Sequence, residues 1–140
     1  MEKGSEIERY VVALEAYKAQ AEALAKDLEV VRANIENLML AKLTLQNCAK
    51  AGENNDILIP IGGAAYVRGG LRDTKTAIVS IGSGVFVEES VEDCVKRLDK
   101  RIEALKEAEK SVQEKIRALQ KEAERVSAKI EEVYRSAGGQ

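Results

Sequence analysis

The chain has no histidine, no tryptophan, one proline and two cysteines among its 140 residues. Lacking histidine, it is without the commonest general base and the commonest metal ligand. Cys48 and Cys94 are too few to build a zinc site by themselves. Aromatic residues make up only 4%, so a compact core would be short of large side chains and an elongated fold is expected. Neither charge sign dominates. With 22 basic and 24 acidic residues and a formal charge of -2, there is no general electrostatic pull toward nucleic acid or anionic lipid. The opening stretch MEKGSEIERYVVALEAY carries acidic residues where a secretory signal has a basic segment, and no run approaches the length of a membrane span. A cytoplasmic protein with neither a membrane nor a nucleic-acid partner is expected.

At 45% hydrophobic and 33% charged residues, the composition lies in the range that folds, and the length suits one structural unit. From Ile7 the apolar residues recur in alternating steps of three and four: Tyr10, Leu14, Tyr17, Ala21, Leu24, Leu28, Val31, Ile35, Leu38 and Leu45, broken only by Lys42. A second series runs Val91, Val95, Leu98, Ile102, Leu105, Val112, Ile116, Leu119, Ala123, Val126, Ile130 and Val133, broken only by Glu109. A period of 3.5 held over this many heptads predicts a left-handed coiled coil, with these residues at the a and d positions of its seam. Each helix should run roughly 45 residues, on the order of 65 to 70 Å at 1.5 Å per residue. Ser90, with Asp93 three residues on, predicts the start of the second helix.

Between the helices the pattern changes. Gly52 to Asp56 reads as a helix stop and polar turn, followed by β-rich runs over 57–61, 64–71, 77–81 and 85–90. Gly62-Gly63 divides the first two runs and Gly82-Ser83-Gly84 the last two, which predicts two β-hairpins. Pro60 has no N–H to give a ladder, so its strand belongs at an edge or a bulge. Gly69-Gly70 suggests a bend. The organisation expected is a helix over 1–50, a hairpin module over 51–90 and a helix over 91–140. Folding the second helix back antiparallel pairs Ile7 with Val133, Leu14 with Val126, Leu28 with Val112, Ile35 with Leu105 and Lys42 with Leu98, and the two helices then end together. Two small hairpins of largely apolar strands are marginal alone, so they read as a device for joining other chains.

The stretch Ile57-Leu58-Ile59-Pro60-Ile61-Gly62, with Ala77-Ile78-Val79-Ser80-Ile81-Gly82-Ser83-Gly84 and Val87-Glu88, resembles the central signature of the alpha class of prefoldins. The likeness covers essentially the whole chain, and the short ends resemble archaeal rather than eukaryotic subunits. The resemblance implies an α+β fold in which a long antiparallel two-helix coiled coil carries two central β-hairpins that enter an oligomeric β-barrel platform. It further implies an α2β4 hexamer with beta subunits. Such an assembly holds unfolded polypeptide clients at its coiled-coil tips without nucleotide or other cofactor and passes them to a group II chaperonin. A self-assembling, filament-forming or structural alpha-like paralogue is the alternative. An RNA-binding coiled-coil arm is disfavoured by the balanced charge.

On this reading the tip residues are Ile7, Tyr10, Val11 and Leu14 of the first helix and Val126, Ile130, Val133 and Tyr134 of the second. Val11 and Tyr134 fall at e positions and widen the apolar stripe there. Ordinary packing is the plainer account of the same residues. The oligomer interface is expected on Ile57, Ile59, Ile61, Tyr66 and Val67 of the first hairpin, and on Ile78, Val79, Ile81, Val85, Phe86 and Val87 of the second. Lys42 and Glu109 are read as setting register at a cost in stability. Arg68, Arg72 and Lys75 read as a solvated rim rather than a nucleic-acid site. The glycine pairs lie between strands and are not followed by the Lys-Ser/Thr of a phosphate loop. Carboxylates such as Glu122 and Glu124 look like solvating charge, and no pair suited to acid-base chemistry stands out, so no enzymatic activity is expected. Cys48 and Cys94 both fall at g positions flanking the hairpins, where they read as two small, semi-buried thiols rather than a disulfide.

Overall fold

A computed structural model describes residues 2–138. Helix α1 (Glu2–Ala51) leads into strands β1 (Ile57–Gly62), β2 (Ala65–Gly69), β3 (Thr76–Gly82) and β4 (Val85–Ser90), and helix α2 (Val91–Gly138) follows. Two compact units result. One joins the part of α1 up to Asn34 to α2 from Leu105 onward; the other, Ile35–Ala104, holds the remaining helix segments and both hairpins.

Every seam residue predicted in the two helices is buried or half-buried, whereas flanking positions are mostly exposed. The burial is deepest at Leu28, Ile35, Leu98, Ile102 and Val126. In the first unit, Arg32 Nε donates to Glu109 Oε2 at 3.0 Å and Lys3 Nζ to Ser136 Oγ at 3.5 Å, so the segments are antiparallel. In the second, Lys42 Nζ lies 2.7 Å from Asp99 Oδ1. These contacts agree with the predicted register: Asp99 is one residue past Leu98, assigned opposite Lys42, and Arg32 is one past Val31, at the level of Glu109. Both polar breaches therefore reach sideways to a charge at an e position of the facing helix, which removes the cost of leaving them unpaired in the seam.

The helix boundaries follow from local chemistry. Gly52, at φ 83°, turns the chain out of α1, and the side-chain amide of Asn55 donates to the Ala51 carbonyl. At the start of α2 the Asp93 N–H donates to Ser90 Oγ at 3.1 Å, the N-cap that the sequence predicts. Each hairpin is a separate two-stranded antiparallel sheet. The first turn falls one residue later than Gly62-Gly63 suggests, at Gly63-Ala64, whereas the second, Ser83-Gly84, lies within the expected Gly82-Ser83-Gly84; all four loop residues have positive φ, and Gly62 and Gly82 sit at register shifts in the ladders. The irregularity in the first hairpin lies immediately after Pro60, as expected of a residue that cannot donate to a ladder. Strand β2 stops at Gly69, short of the predicted Leu71, because the Leu71 carbonyl instead accepts from the Asn54 N–H at 3.1 Å.

Candidate functional site

At the free end of the first unit, Ile7, Tyr10, Leu14, Ile130 and Val133 are half-buried, while Val11 and Tyr134 are exposed. Val126 is closed into the seam at 3% exposure and is shielded from any passing chain in this state. The seam positions on either side of Val126, Ala123 and Ile130, are half-buried. Tyr10 borders two shallow depressions, one shared with Glu2, Ser5 and Arg9 and one with Lys3, Lys129 and Val133. Its hydroxyl donates to Glu6 Oε1 at 3.3 Å, which leaves the ring as an apolar wall within a rim of mixed charge. Val12, at 66% exposure, extends the surface of Val11 and was not among the residues expected from the sequence. It lies at an f position outside the seam pattern; two adjacent valines on an outer helix face were the available signal.

The hairpins in the second unit expose apolar side chains on both faces. In the first, Leu58 and Tyr66 lie on one face and Ile59 and Val67 on the other, and all four are exposed, as is Ile61; Ile57 is half-buried. A strand that is apolar on both faces is the pattern of one buried on both faces. Leu58, which the sequence reading passed over, is as exposed as Tyr66 and Ile61. A Cβ at Gly69 would come 2.7 Å from Ile59 Cδ1, so a larger residue there would push the end of that exposed side chain aside. In the second hairpin, Val79 and Val87 are half-buried, whereas Ile78, Ile81, Val85 and Phe86 are exposed.

Hairpin β3–β4 is fastened to α2 by charge. Arg97 donates through Nε and Nη2 to the two carboxylate oxygens of Glu89 at 2.9 and 3.2 Å, and Arg101 donates to the Ser80 carbonyl at 2.7 Å. The Glu89 carboxylate raises the Arg97 pKa above its ordinary value. Glu89, Arg97 and Arg101 were not singled out in the sequence, where a glutamate among inward-facing valines was the only hint. At the same base Cys94 is buried and Cys48 half-buried, both as free thiols, and burial followed by the charge of Glu89 pushes the Cys94 thiol up. Arg68 pairs with Asp56 at 3.5 Å, with both side chains well exposed. Asp73 is tied into its own loop, where hydrogen bonds from Thr76 and Lys75 lower its pKa. Among the described residues, no helix is long and apolar enough to cross a membrane.

A paired-helix protein with apolar hairpins left uncovered defines a class of subunit that is completed by other chains. Comparison with known proteins agrees. Residues 17–136 match the family model "Prefoldin subunit". Prefoldin subunit alpha of Pyrococcus horikoshii is 33% identical over 135 residues, covering 96% of this chain and 91% of that protein. Prefoldin subunit alpha of Methanococcus aeolicus is 31% identical over 135 residues, covering 96% and 92%. A cryo-EM structure of filamentous PFD from Methanocaldococcus jannaschii aligns with a TM-score of 0.73 at 26% identity, covering 84% of this chain and 97% of that one. The chain belongs to the prefoldin family, as an alpha-class subunit of archaeal type. That family is one of oligomeric chaperones and not of enzymes.

Proposed function

We propose that this chain is the alpha subunit of a nucleotide-independent holding chaperone of the cytoplasm. Its hairpins pool with those of beta-class subunits into an α2β4 hexamer with a β-barrel platform. Non-native polypeptides are gripped at the coiled-coil tips and then handed to a group II chaperonin. The observation that carries this reading is the exposure of apolar side chains on both faces of β1–β2, a surface that only partner chains can cover at acceptable cost. The tip suits weak capture: Tyr10, Val11, Val12 and Tyr134 offer apolar contact inside a charged rim, and several tips on one platform multiply weak contacts into useful avidity.

The test replaces Tyr10, Val11, Val12 and Tyr134 with serine. Co-assembly with a beta-class prefoldin subunit should survive, because none of these residues lies in the hairpins, while suppression of client aggregation should weaken. Unchanged suppression removes the tips of this subunit from the mechanism. Polar replacement of Leu58 and Phe86 should act in reverse, blocking assembly first.

A second reading is favoured by the likeness to a filamentous prefoldin: the same hairpins join copies of this chain into a structural filament. Light scattering on the purified chain separates the two, since long assemblies without a beta-class subunit support the filament.

A further inference from the structure

The two hairpins of the Ile35–Ala104 unit stand in different relations to its helix segments. In β3–β4, Ala77, Val79, Val87 and Glu89 are half-buried, while Ile78, Phe86 and Glu88 are exposed. Side chains alternate across a strand, and Glu89 points to Arg97. One face of this hairpin therefore lies against α2, and its outward apolar face stays free for other subunits. Strands β1 and β2 show no such alternation, and only Ile57 and Gly69 are half-buried. Among the described residues, no hydrogen bond or ion pair joins β1 or β2 to either helix. The pair Arg68–Asp56 stays within the hairpin and the linker 52–56 that leads to it.

Hairpin β3–β4 is attached at its root, beside its root and near its turn. The root has no linker, since β4 ends at Ser90 and α2 begins at Val91, and the Val91 N–H donates to the Lys75 carbonyl at 2.9 Å. Next, Arg97 grips both oxygens of Glu89. Near the turn, Arg101 reaches the carbonyl of Ser80, which pairs with Phe86 just before the register shift. Cys94, Arg97 and Arg101 recur at helical spacing on one stripe of α2. The hairpin lies along that stripe, and accordingly Cys94 is only 5% exposed and feels the charge of Glu89. Lys96, Lys100 and Asp93 border the same depression as the Glu89–Arg97 pair, so α2 presents a mainly cationic surface to the one carboxylate the hairpin turns toward it. A hairpin joined at its root alone would pivot there; the two arginines remove that freedom.

We propose that Arg97 and Arg101 are positioning residues: by clamping β3–β4 along α2 they fix the direction in which the base of the coil leaves the shared platform, while β1–β2, held only through its linkers, turns to meet its neighbour. The two hairpins thus divide the work into a rigid bracket and an adjustable arm. Weak contacts made at several tips add up only where the linkage holds them in compatible geometry, so a coil free to pivot at its base would forfeit part of that gain. This rests on the reading of the hairpins as an assembly module that carries client-binding coils.

The experiment cuts the clamp by Glu89→Arg, which sets a cation against Arg97, Lys96 and Lys100, and restores it by adding Arg97→Glu. Cys94 reports whether the hairpin has lifted. In the full-length chain, iodoacetamide labelling read by peptide mass spectrometry, with Cys48 as internal reference, should speed up at Cys94 about tenfold or more in Glu89→Arg, the scale of one lost charge-assisted pair, and return in the swap. Direction is read in the complex with a beta-class prefoldin subunit. A nitroxide carried on p-acetylphenylalanine at the exposed Glu103 gives the distance between alpha subunits by electron double resonance. The parent should give one narrow distribution, Glu89→Arg a broad one, and the swap a narrow one again. If Glu89→Arg does not assemble, Arg101→Met, which removes only the attachment near the turn, should broaden the distribution in its place. An unchanged Cys94 rate, an unchanged width, or a swap that restores neither overturns the proposal, whatever the variants do to the unfolding midpoint. A complex that responds as expected yet holds no client keeps the clamp and defeats the reading of the tips. A chain that never joins a beta-class subunit defeats the assembly reading and the proposal with it.

Discussion

Replacing Lys42 with leucine should stabilise the coil while weakening the specification of its register. Lys42 occupies a seam position assigned opposite Leu98, which is buried. Its ammonium leaves the seam to meet Asp99 at 2.7 Å, and the two side chains remain 32% and 49% exposed. An ion pair that wet contributes about 0 to 1 kcal/mol. A leucine buried between its neighbours gains about 1.5 to 3 kcal/mol over an exposed one. The lysine stem already covers part of that surface, so the net gain is about 1 to 2 kcal/mol. Urea unfolding followed by helical circular dichroism measures it, with the midpoint rising and the slope unchanged. Glu109→Leu should behave alike, since Arg32 and Glu109 are similarly wet at 51% and 28%, and because the two breaches lie in different units their effects should add. Loss of 1 kcal/mol or more in either variant would refute the argument, for it would mean that the pairs contribute stability and not register alone. The register effect has its own readout: cysteines introduced at Leu28 and Val112 should crosslink cleanly in the parent chain, and links to neighbouring layers should appear in the double leucine variant.

Three further outcomes are expected. Ser90→Ala removes the acceptor for the Asp93 N–H and should cost about 1 kcal/mol in thermal or urea unfolding, with Ser90→Asp recovering most of it. Ala64→Gly relieves a non-glycine residue held at φ 60° in the first hairpin turn and should stabilise by about 0.5 to 1 kcal/mol, read as a raised unfolding midpoint. Iodoacetamide followed by mass spectrometry should modify Cys48 well before Cys94, because burial disfavours the Cys94 thiolate. The sign for stability follows: a thiol whose folded pKa is raised keeps its full contribution at pH below its ordinary value of 9.0 and loses it as pH climbs from there through the raised folded value, so Cys94→Ala should flatten the alkaline limb of a stability profile.

Much of the molecule was legible because its rules are periodic. A 3.5-residue repeat names the seam of each helix and, with the return of the chain, the layers that meet, so Lys42 and Glu109 could be marked before their partners were visible. Ser90 and Gly52 announce helix ends because capping and positive φ are local properties. The hairpins were legible as strands, and so was the second turn, yet the first shifted by a residue because Ala64 takes a left-handed conformation that favours glycine, leaving Gly62 for the bulge. The tip was legible only in outline: heptad position nominated Tyr10 and Val11, but not that Val12 stands in solvent or that Val126 is sealed.

The amino-acid order alone determined the paired helices, their register, the two hairpins and the resemblance to prefoldin, since each depends on spacing within the chain. Which side chains compensate one another was decided by the tertiary structure. Lys42 finds Asp99, Glu109 finds Arg32, and Arg97 and Arg101 fold a hairpin back along α2 through contacts that no periodicity encodes. That folding-back leaves Ile78 and Phe86 facing outward, because side chains alternate along a strand and Glu89 of this one faces Arg97.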